Sequence, residues 1–196
     1  NEFVNKCAGL PLKNITISCG SKLQQGEAVI TSLGLEGNAI YALSPEIRKQ
    51  LAENELAEIF IDLKPKLTSE VIFEKLKESK GKNTSEKLKR DLKFSTSQLE
   101  LLKTNCSKEV FMNLELSQYI KKLKLIIVST APIDEGISCV GGIALDEVTD
   151  KFELSKVPNH YCIGEMLNWD APTGGYLLQA CFSMGVSVAR ELNLKK

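Results

Sequence analysis

The residues with the clearest chemical potential lie together near the end of the chain, between Gly164 and Ala180. Here the paired glycines Gly174 and Gly175 precede an apolar run typical of a helix, and Thr173 stands where a helix cap is expected. Glycines at such a place leave the backbone amides of the first helical turn uncovered, so the positive end of the helix dipole faces an anion or a polar ring edge. We therefore interpret this segment as a ligand-binding loop that leads into a helix.

An acidic residue in the same segment follows a stretch that predicts a short strand, Tyr161 to Ile163. Gly164 and Glu165 come directly after it. A carboxylate at a strand end can accept hydrogen bonds from sugar-like hydroxyls, as acidic residues do in dinucleotide-binding folds. A Gly-Glu pair after a strand is also an ordinary turn. The glycine-opened helix that follows favours the binding role without excluding the turn.

Other candidates for catalysis are few. His160 is the single histidine, so the chain offers no second one around which a Ser-His-Asp or Cys-His set could form. Trp169 and Asp170 could line a substrate pocket, although a Trp beside a Pro-containing loop is as often simple packing. The six cysteines form no C-x-x-C pair, so we expect reduced, mainly structural thiols and no metal site.

The composition excludes several classes of partner. Lys+Arg 25 balances Asp+Glu 25 in 196 residues, so no global field attracts nucleic acid or a membrane surface. No apolar run approaches the roughly 20 residues of a membrane span, and we expect a cytoplasmic protein without nucleic-acid or membrane partners. From Lys64 to Lys93 there are ten Lys/Arg against five Asp/Glu. This excess is typical of a solvated helical face, and the alternative is a polyanion-binding patch.

The apolar pattern predicts a β-rich start, a helical middle and a mixed end. Helical spacing extends from Thr68 to Leu123, with a capping box at Ser95 and Gln98. Predicted strands are 14–19, 27–31, 57–63, 123–130 and 136–145, and the first two are joined by a turn-rich segment, 20–26. Further helices are predicted for about 44–52, with Ser44 as the N-cap, and for about 174–192.

Several stretches of the sequence resemble a known family. Four of them, Ser138 to Ile143, Ser155 to Asn159, Tyr161 to Leu167 and Ala171 to Phe182, look like the C-terminal signature of bacterial FAD-dependent oxidoreductases known as NAD(FAD)-utilizing dehydrogenases, a group that includes aminoacetone oxidase. Upstream, Gly26 to Thr31 and Gly34 to Ser44 are similar to the insert domain of one subgroup of these flavoproteins. The resemblance covers nearly the whole chain, and 68–123 matches only in layout.

The resemblance implies an α+β fold with two parts. The first is a β-rich, barrel-like insert domain that carries a helical subdomain, and the second is the C-terminal portion of a glutathione-reductase-type FAD-binding domain. On this basis residues 1–66, completed by 122–135, form the β-rich part, 67–121 the helical subdomain and 136–196 the FAD-domain segment.

The resemblance also assigns the site. Gly164 and Glu165 would lie against the ribityl and pyrophosphate part of FAD, and Gly174, Gly175 and Tyr176 would place backbone amides beside the pyrimidine edge of the flavin. The complete implied cofactor-binding set is Gly141, Gly142, Gly164, Glu165, Thr173, Gly174, Gly175 and Tyr176, with Trp169 and Asp170 toward a small-molecule substrate. Asn168 stands where relatives commonly have Asp, which puts details of the substrate in doubt.

The implied function is that of the C-terminal portion of an FAD-dependent oxidoreductase, with NAD(P)H as a candidate electron donor. None of the thirteen glycines forms a G-x-G-x-x-G motif, which in this family lies at the far N-terminus. We therefore expect this chain to need the missing N-terminal FAD-binding half of the same protein and to be inactive alone. The alternative from another class is a non-catalytic binding or interaction module on a flavoprotein scaffold.

Overall fold

A computed structural model describes residues 2–136, 138–171 and 174–194, and it divides the chain into two compact units, Asn1–Thr130 and Ala131–Lys196. Among the described residues, no helix combines the length and the apolar character needed to cross a membrane. The fold is α+β, as the sequence predicts: a curled antiparallel sheet forms a half-barrel with several helices.

The first unit contains a five-stranded sheet in the order β3-β2-β1-β4-β5, in which every neighbouring pair is antiparallel. The strands are β1 Pro11–Cys19, β2 Lys22–Ile30, β3 Leu35–Glu36, β4 Ala57–Asp62 and β5 Leu123–Ile127. In β4, Ala57, Ile59 and Ile61 are buried and alternate with more exposed residues. Because successive side chains of a strand point to opposite faces, one face of the sheet covers the core.

Eight helices are described in the first unit. They are α1 Glu2–Cys7, α2 Asn38–Tyr41, α3 Ser44–Asn54, α4 Ser69–Glu78, α5 Thr84–Asp91, α6 Thr96–Asn105, α7 Lys108–Met112 and α8 Leu116–Lys121. Four of them begin at a side-chain cap, provided by Thr68, Asn83, Ser95 and Ser107. The capping box predicted at Ser95 and Gln98 is confirmed, because each side chain bonds the backbone amide of the other.

Sheet and helices of the first unit share one hydrophobic core. Side chains from β1, β2, β4 and β5 meet those of α4, α5, α6 and α8, and the largest fully buried ones include Ile17, Ile59, Ile72, Leu102 and Leu116. The predicted domain boundaries at 66, 121 and 135 stay predictions.

Two local predictions in the first unit are wrong. The turn between β1 and β2 contains only Gly20 and Ser21, because β2 begins at Lys22 and not after Gly26. Ser44 is not the cap of α3, whose N-cap position is Leu43; the Ser44 hydroxyl instead donates to the carbonyl of Ile40, 3.2 Å away. A serine hydroxyl can cap the following amides or donate to a carbonyl of the preceding turn, and the local sequence does not determine which of these bonds forms.

The second unit has little regular structure before its final helix. It contains 3₁₀ turns at Ile133–Glu135, Leu145–Glu147 and Gly164–Met166, and the helix α9 Tyr176–Leu194. The predicted strand 136–145 is wrong for the residues described there, which form a single β-bridge at Ile143. Gly141 and Gly142 have φ of 107° and 132°, and such left-handed backbone breaks a strand. The predicted strand 161–163 is likewise reduced to one bridge, at Tyr161.

Candidate functional site

Two backbone segments of the second unit lie against each other at the predicted site. Ile143 forms a parallel bridge with Leu167, in which the Ile143 amide donates to the Met166 carbonyl at 2.9 Å and the Asn168 amide donates to the Ile143 carbonyl at 2.7 Å. A Cβ atom on Gly142 would lie 2.6 Å from the Met166 oxygen. Glycine is therefore required at 142 by the close approach of two backbone segments.

A second close contact joins the loop to α9. Gly164 is buried with φ of 64°, and a Cβ atom there would lie 3.1 Å from the Cys181 sulfur. Its amide donates to the thioether sulfur of Met184 at 3.2 Å. The packing of the loop on α9 therefore accounts for Gly164 without any ligand, which is a structural role beside the cofactor role implied by the resemblance.

Trp169 is tied back to the same loop. Its indole Nε1 donates to the Gly164 carbonyl at 2.9 Å, and the ring is half-buried. This bond satisfies the one polar atom of the indole and holds the ring beside the 3₁₀ turn. Asp170, the next residue, is exposed.

Three glycines of the second unit lie in open space. Gly141, Gly174 and Gly175 all have left-handed φ, of 107°, 104° and 85°. A Cβ atom on Gly141 or Gly175 would meet nothing within 4 Å, and on Gly174 it would meet only the Tyr176 ring, at 3.6 Å. Unlike those at 142 and 164, these glycines leave room beside exposed backbone.

The start of α9 has the electrostatics expected of an anion-facing helix end. The Gln179 amide donates to the Gly175 carbonyl at 3.1 Å, so helix geometry leaves the amides of Tyr176 and the next two residues without an intrahelical acceptor. Tyr176 itself is exposed. Thr173, the predicted cap, lies outside the described residues. Glu165 is exposed on the 3₁₀ turn and follows no strand, which corrects the predicted strand-end setting.

The structure thus brings together some of the predicted residues. Gly164 and Trp169 belong to one hydrogen-bonded cluster, and Gly142 lies against the Met166 carbonyl of the same loop. Residues 174–176 open the helix on which this loop packs. The sequence interpretation missed Cys181 and Met184, whose sulfur atoms lie against Gly164 of the loop. Their spacing of three residues on one helix face was the available signal.

The remaining candidates show no catalytic grouping. His160 is exposed, with its Nδ1 3.0 Å from the Pro158 carbonyl. All six cysteines are free thiols, and burial raises the pKa of Cys7, Cys19 and Cys106, which makes them poor nucleophiles. Within the described ranges, no cluster of three or more His, Cys, Asp or Glu residues could hold a metal ion.

A comparison with protein families adds an independent finding. Residues 1–138 match the family described as "HI0933-like protein barrel and H2TH domain". The match covers the whole first unit, where the curled sheet and the helices α4 to α8 agree with a barrel plus a helical domain. It ends before Gly141, so the candidate site lies beyond the matched range.

Proposed function

The chain belongs to the HI0933-like family, a family of the flavoprotein, FAD-dependent oxidoreductase type, and from this premise we propose that its second unit supplies FAD-contacting loops to such an enzyme. The observation that carries the proposal is the pair of open, left-handed glycines, Gly174 and Gly175, at the start of α9. A backbone without side chains next to a helix N-terminus is suited to a flat polar ring or an anionic group.

The residues present fit this cofactor. Gly141, Gly174 and Gly175 leave space that a Cβ atom would fill, and the first amides of α9 point their partial positive charge outward. We assign the amides at Gly175 and Tyr176 to the pyrimidine edge of the flavin, and Gly164 with Glu165 to the ribityl and pyrophosphate side. When bound, the flavin supplies the redox chemistry.

The chain's own contribution is position and charge. Hydrogen-bond donors held at the end of a helix favour negative charge that develops beside them. The Trp169 ring, fixed through Gly164, forms a wall for a small-molecule substrate, with Asp170 as a polar neighbour. NAD(P)H is the electron donor that we propose, in keeping with the resemblance.

The outer face of α9 supports the proposed partner, the N-terminal FAD-binding half. Leu178, Phe182 and Val186 follow each other at four-residue spacing and are 62%, 69% and 50% exposed. No residue described in α9 is buried. A contiguous apolar stripe of this kind marks a surface that another element covers.

The test uses a protein in which this chain is joined to the proposed N-terminal FAD-binding half, purified with flavin. Replacing Gly175 by Val should crowd the helix end, and loss of one or two hydrogen bonds to a charged group corresponds to about 1–3 kcal/mol of flavin binding. The midpoint potential should also fall, because the anionic reduced form loses stabilisation. Flavin content and potentiometry measure both effects.

A matched control separates this role from backbone strain. Gly9 has φ of 83° and open space around its Cβ position, much like Gly175, but it lies in the first unit. Gly9→Val should therefore retain flavin and potential, and Trp169→Ala should leave the flavin spectrum unchanged while altering turnover. A Gly175→Val protein with normal flavin content and normal potential would refute the proposal.

A further inference from the structure

A second candidate binding site lies in the first unit and is independent of the flavin proposal. It is a cleft of about 480 Å³, bounded by the start of β1, the loop that follows β4 and the N-terminal end of α6. Leu10, Pro11, Pro65 and Leu67 provide an apolar part of its lining. The volume suits a small organic molecule and not a single water.

The charged residues of the cleft are all positive. Lys13, Lys64, Lys66 and Lys93 line it, together with no Asp or Glu. Within the described part of the chain, none of the four forms an ion pair with a carboxylate, whereas Lys121, Lys124 and Lys156 elsewhere do. The cleft therefore concentrates uncompensated positive charge in a chain whose net charge is zero.

Lys64 is the innermost of these cations. Its ammonium donates to the Lys93 carbonyl and to Gln98 Oε1, both at 3.0 Å, and lies 4.6 Å from the centre of the Phe94 ring. These partners are neutral, and half-burial lowers the pKa of Lys64. An ammonium has three N–H donors, and the two hydrogen bonds of Lys64 use two of them. A partly desolvated cation without a counter-ion carries some cost, and an anion in the cleft would offset it.

The polar frame beneath the cleft is rigid before any ligand arrives. Ser97 is buried and donates to the Pro11 carbonyl at 2.7 Å. Gln98 is also buried, and its Nε2 donates to the carbonyls of Lys13 and Leu63, both at 3.3 Å. These bonds join α6 to β1 and to the residue that follows β4, so the backbone that carries the lysines is held in place.

We propose that this cleft binds a small phosphate ester, with the phosphate among the four lysines and the organic part against the Leu10 and Pro65 side. A phosphate ester carries about −1.5 to −2 charges near neutral pH, more than the single charge of a carboxylate. Several ammonium groups close together can neutralise that larger charge. The apolar lining gives the organic part a surface that inorganic phosphate does not use.

The experiment is a calorimetric titration of the 196-residue chain with phenyl phosphate, inorganic phosphate and phenol. Phenyl phosphate should bind saturably and more tightly than inorganic phosphate, and phenol should not bind. The double variant Lys13→Gln/Lys66→Gln removes two exposed lysines and should weaken phenyl phosphate by at least about five-fold. The control Lys77→Gln/Lys89→Gln removes the same charge from α4 and α5 and should stay within about two-fold.

Three outcomes would overturn the proposal. They are the absence of saturable phenyl phosphate binding, equal weakening by the two double variants, and tighter binding of a single-stranded oligonucleotide that both variants weaken equally. The last two would mean that diffuse charge, and not the cleft, attracts the anion. Circular dichroism of each variant confirms that the fold is retained.

Discussion

The two units of the chain stabilise themselves in different ways. Among the described residues, all the buried hydrophobic side chains except Cys162 and Leu167 belong to the first unit, where the sheet and helices enclose one core. The second unit is held by isolated bridges, by close glycine contacts and by sulfur atoms of α9. Its longest helix presents apolar side chains to solvent.

This difference indicates what each unit requires. Burial of apolar surface is the main stabilising contribution to a fold, and the first unit obtains it within its own residues. The second unit buries little and keeps an apolar stripe on α9, so we expect it to reach full stability only when another part of a flavoprotein covers that stripe.

The largest effect is expected in the core of the first unit. Ile59 is fully buried in β4, between its partners Cys19 on β1 and Leu125 on β5. Ile59→Ala should lower the free energy of unfolding of this unit by about 2–5 kcal/mol, from lost burial and the cavity left behind. Native-state hydrogen exchange of the β4 amides measures it, and a change below about 0.5 kcal/mol would contradict a self-sufficient core.

The second prediction concerns the apolar stripe of α9. Phe182→Ser in the 196-residue chain should change the free energy of unfolding by less than about 0.5 kcal/mol, because the side chain is exposed. In a protein that also contains the proposed N-terminal FAD-binding half, the same change should cost about 1.5–3 kcal/mol if that half buries the ring. Denaturation of both proteins gives the two values. Ser183→Ala, at the neighbouring exposed position, is the control, and equal Phe182→Ser values in the two proteins would exclude a covering partner.

The third prediction separates the packed glycines from the open ones. Gly142→Ala should destabilise the second unit by about 1–3 kcal/mol more than Gly141→Ala. Both positions have left-handed φ, but only at 142 would the new methyl group meet backbone, at 2.6 Å. Proteolysis of the second unit under native conditions reports the difference. Equal rates for the two variants would show that φ alone, and not the contact with Met166, requires glycine.

The smallest effect is a pH dependence on the surface of the first unit. Hydrogen bonds from Arg90, and then from Ser79, hold the pKa of Asp91 at about 2, below its ordinary 3.8. Because the folded pKa is depressed, the stabilisation by this carboxylate is complete above about pH 4 and is lost as the pH falls from about 4 toward 2. An NMR titration measures the pKa. Arg90→Gln should raise it, whereas Lys89→Gln, which removes a charge without a hydrogen bond, should not raise it comparably.

Much of the first unit could be predicted from the sequence because its signals are local and agree with each other. Alternation in β4 and helical spacing with caps at Ser95 and Gln98 identified their elements correctly. The failure at 136–145 has a physical reason: glycines and apolar residues in sequence do not reveal whether a partner strand exists. The backbone there bends through Gly141 and Gly142 and pairs at a single residue.

The sequence by itself indicated a mixture of strands and helices and the helix that follows the glycine pair, since the spacing of apolar side chains and the backbone freedom of glycine are properties of the residues themselves. Only the tertiary structure decided the roles of the individual glycines. Gly142 and Gly164 are required by neighbours distant in sequence, Met166 and Cys181, while Gly175 lies in open space. It also decided that four lysines of three separate segments share one cleft, because proximity across a fold depends on packing that no local pattern encodes.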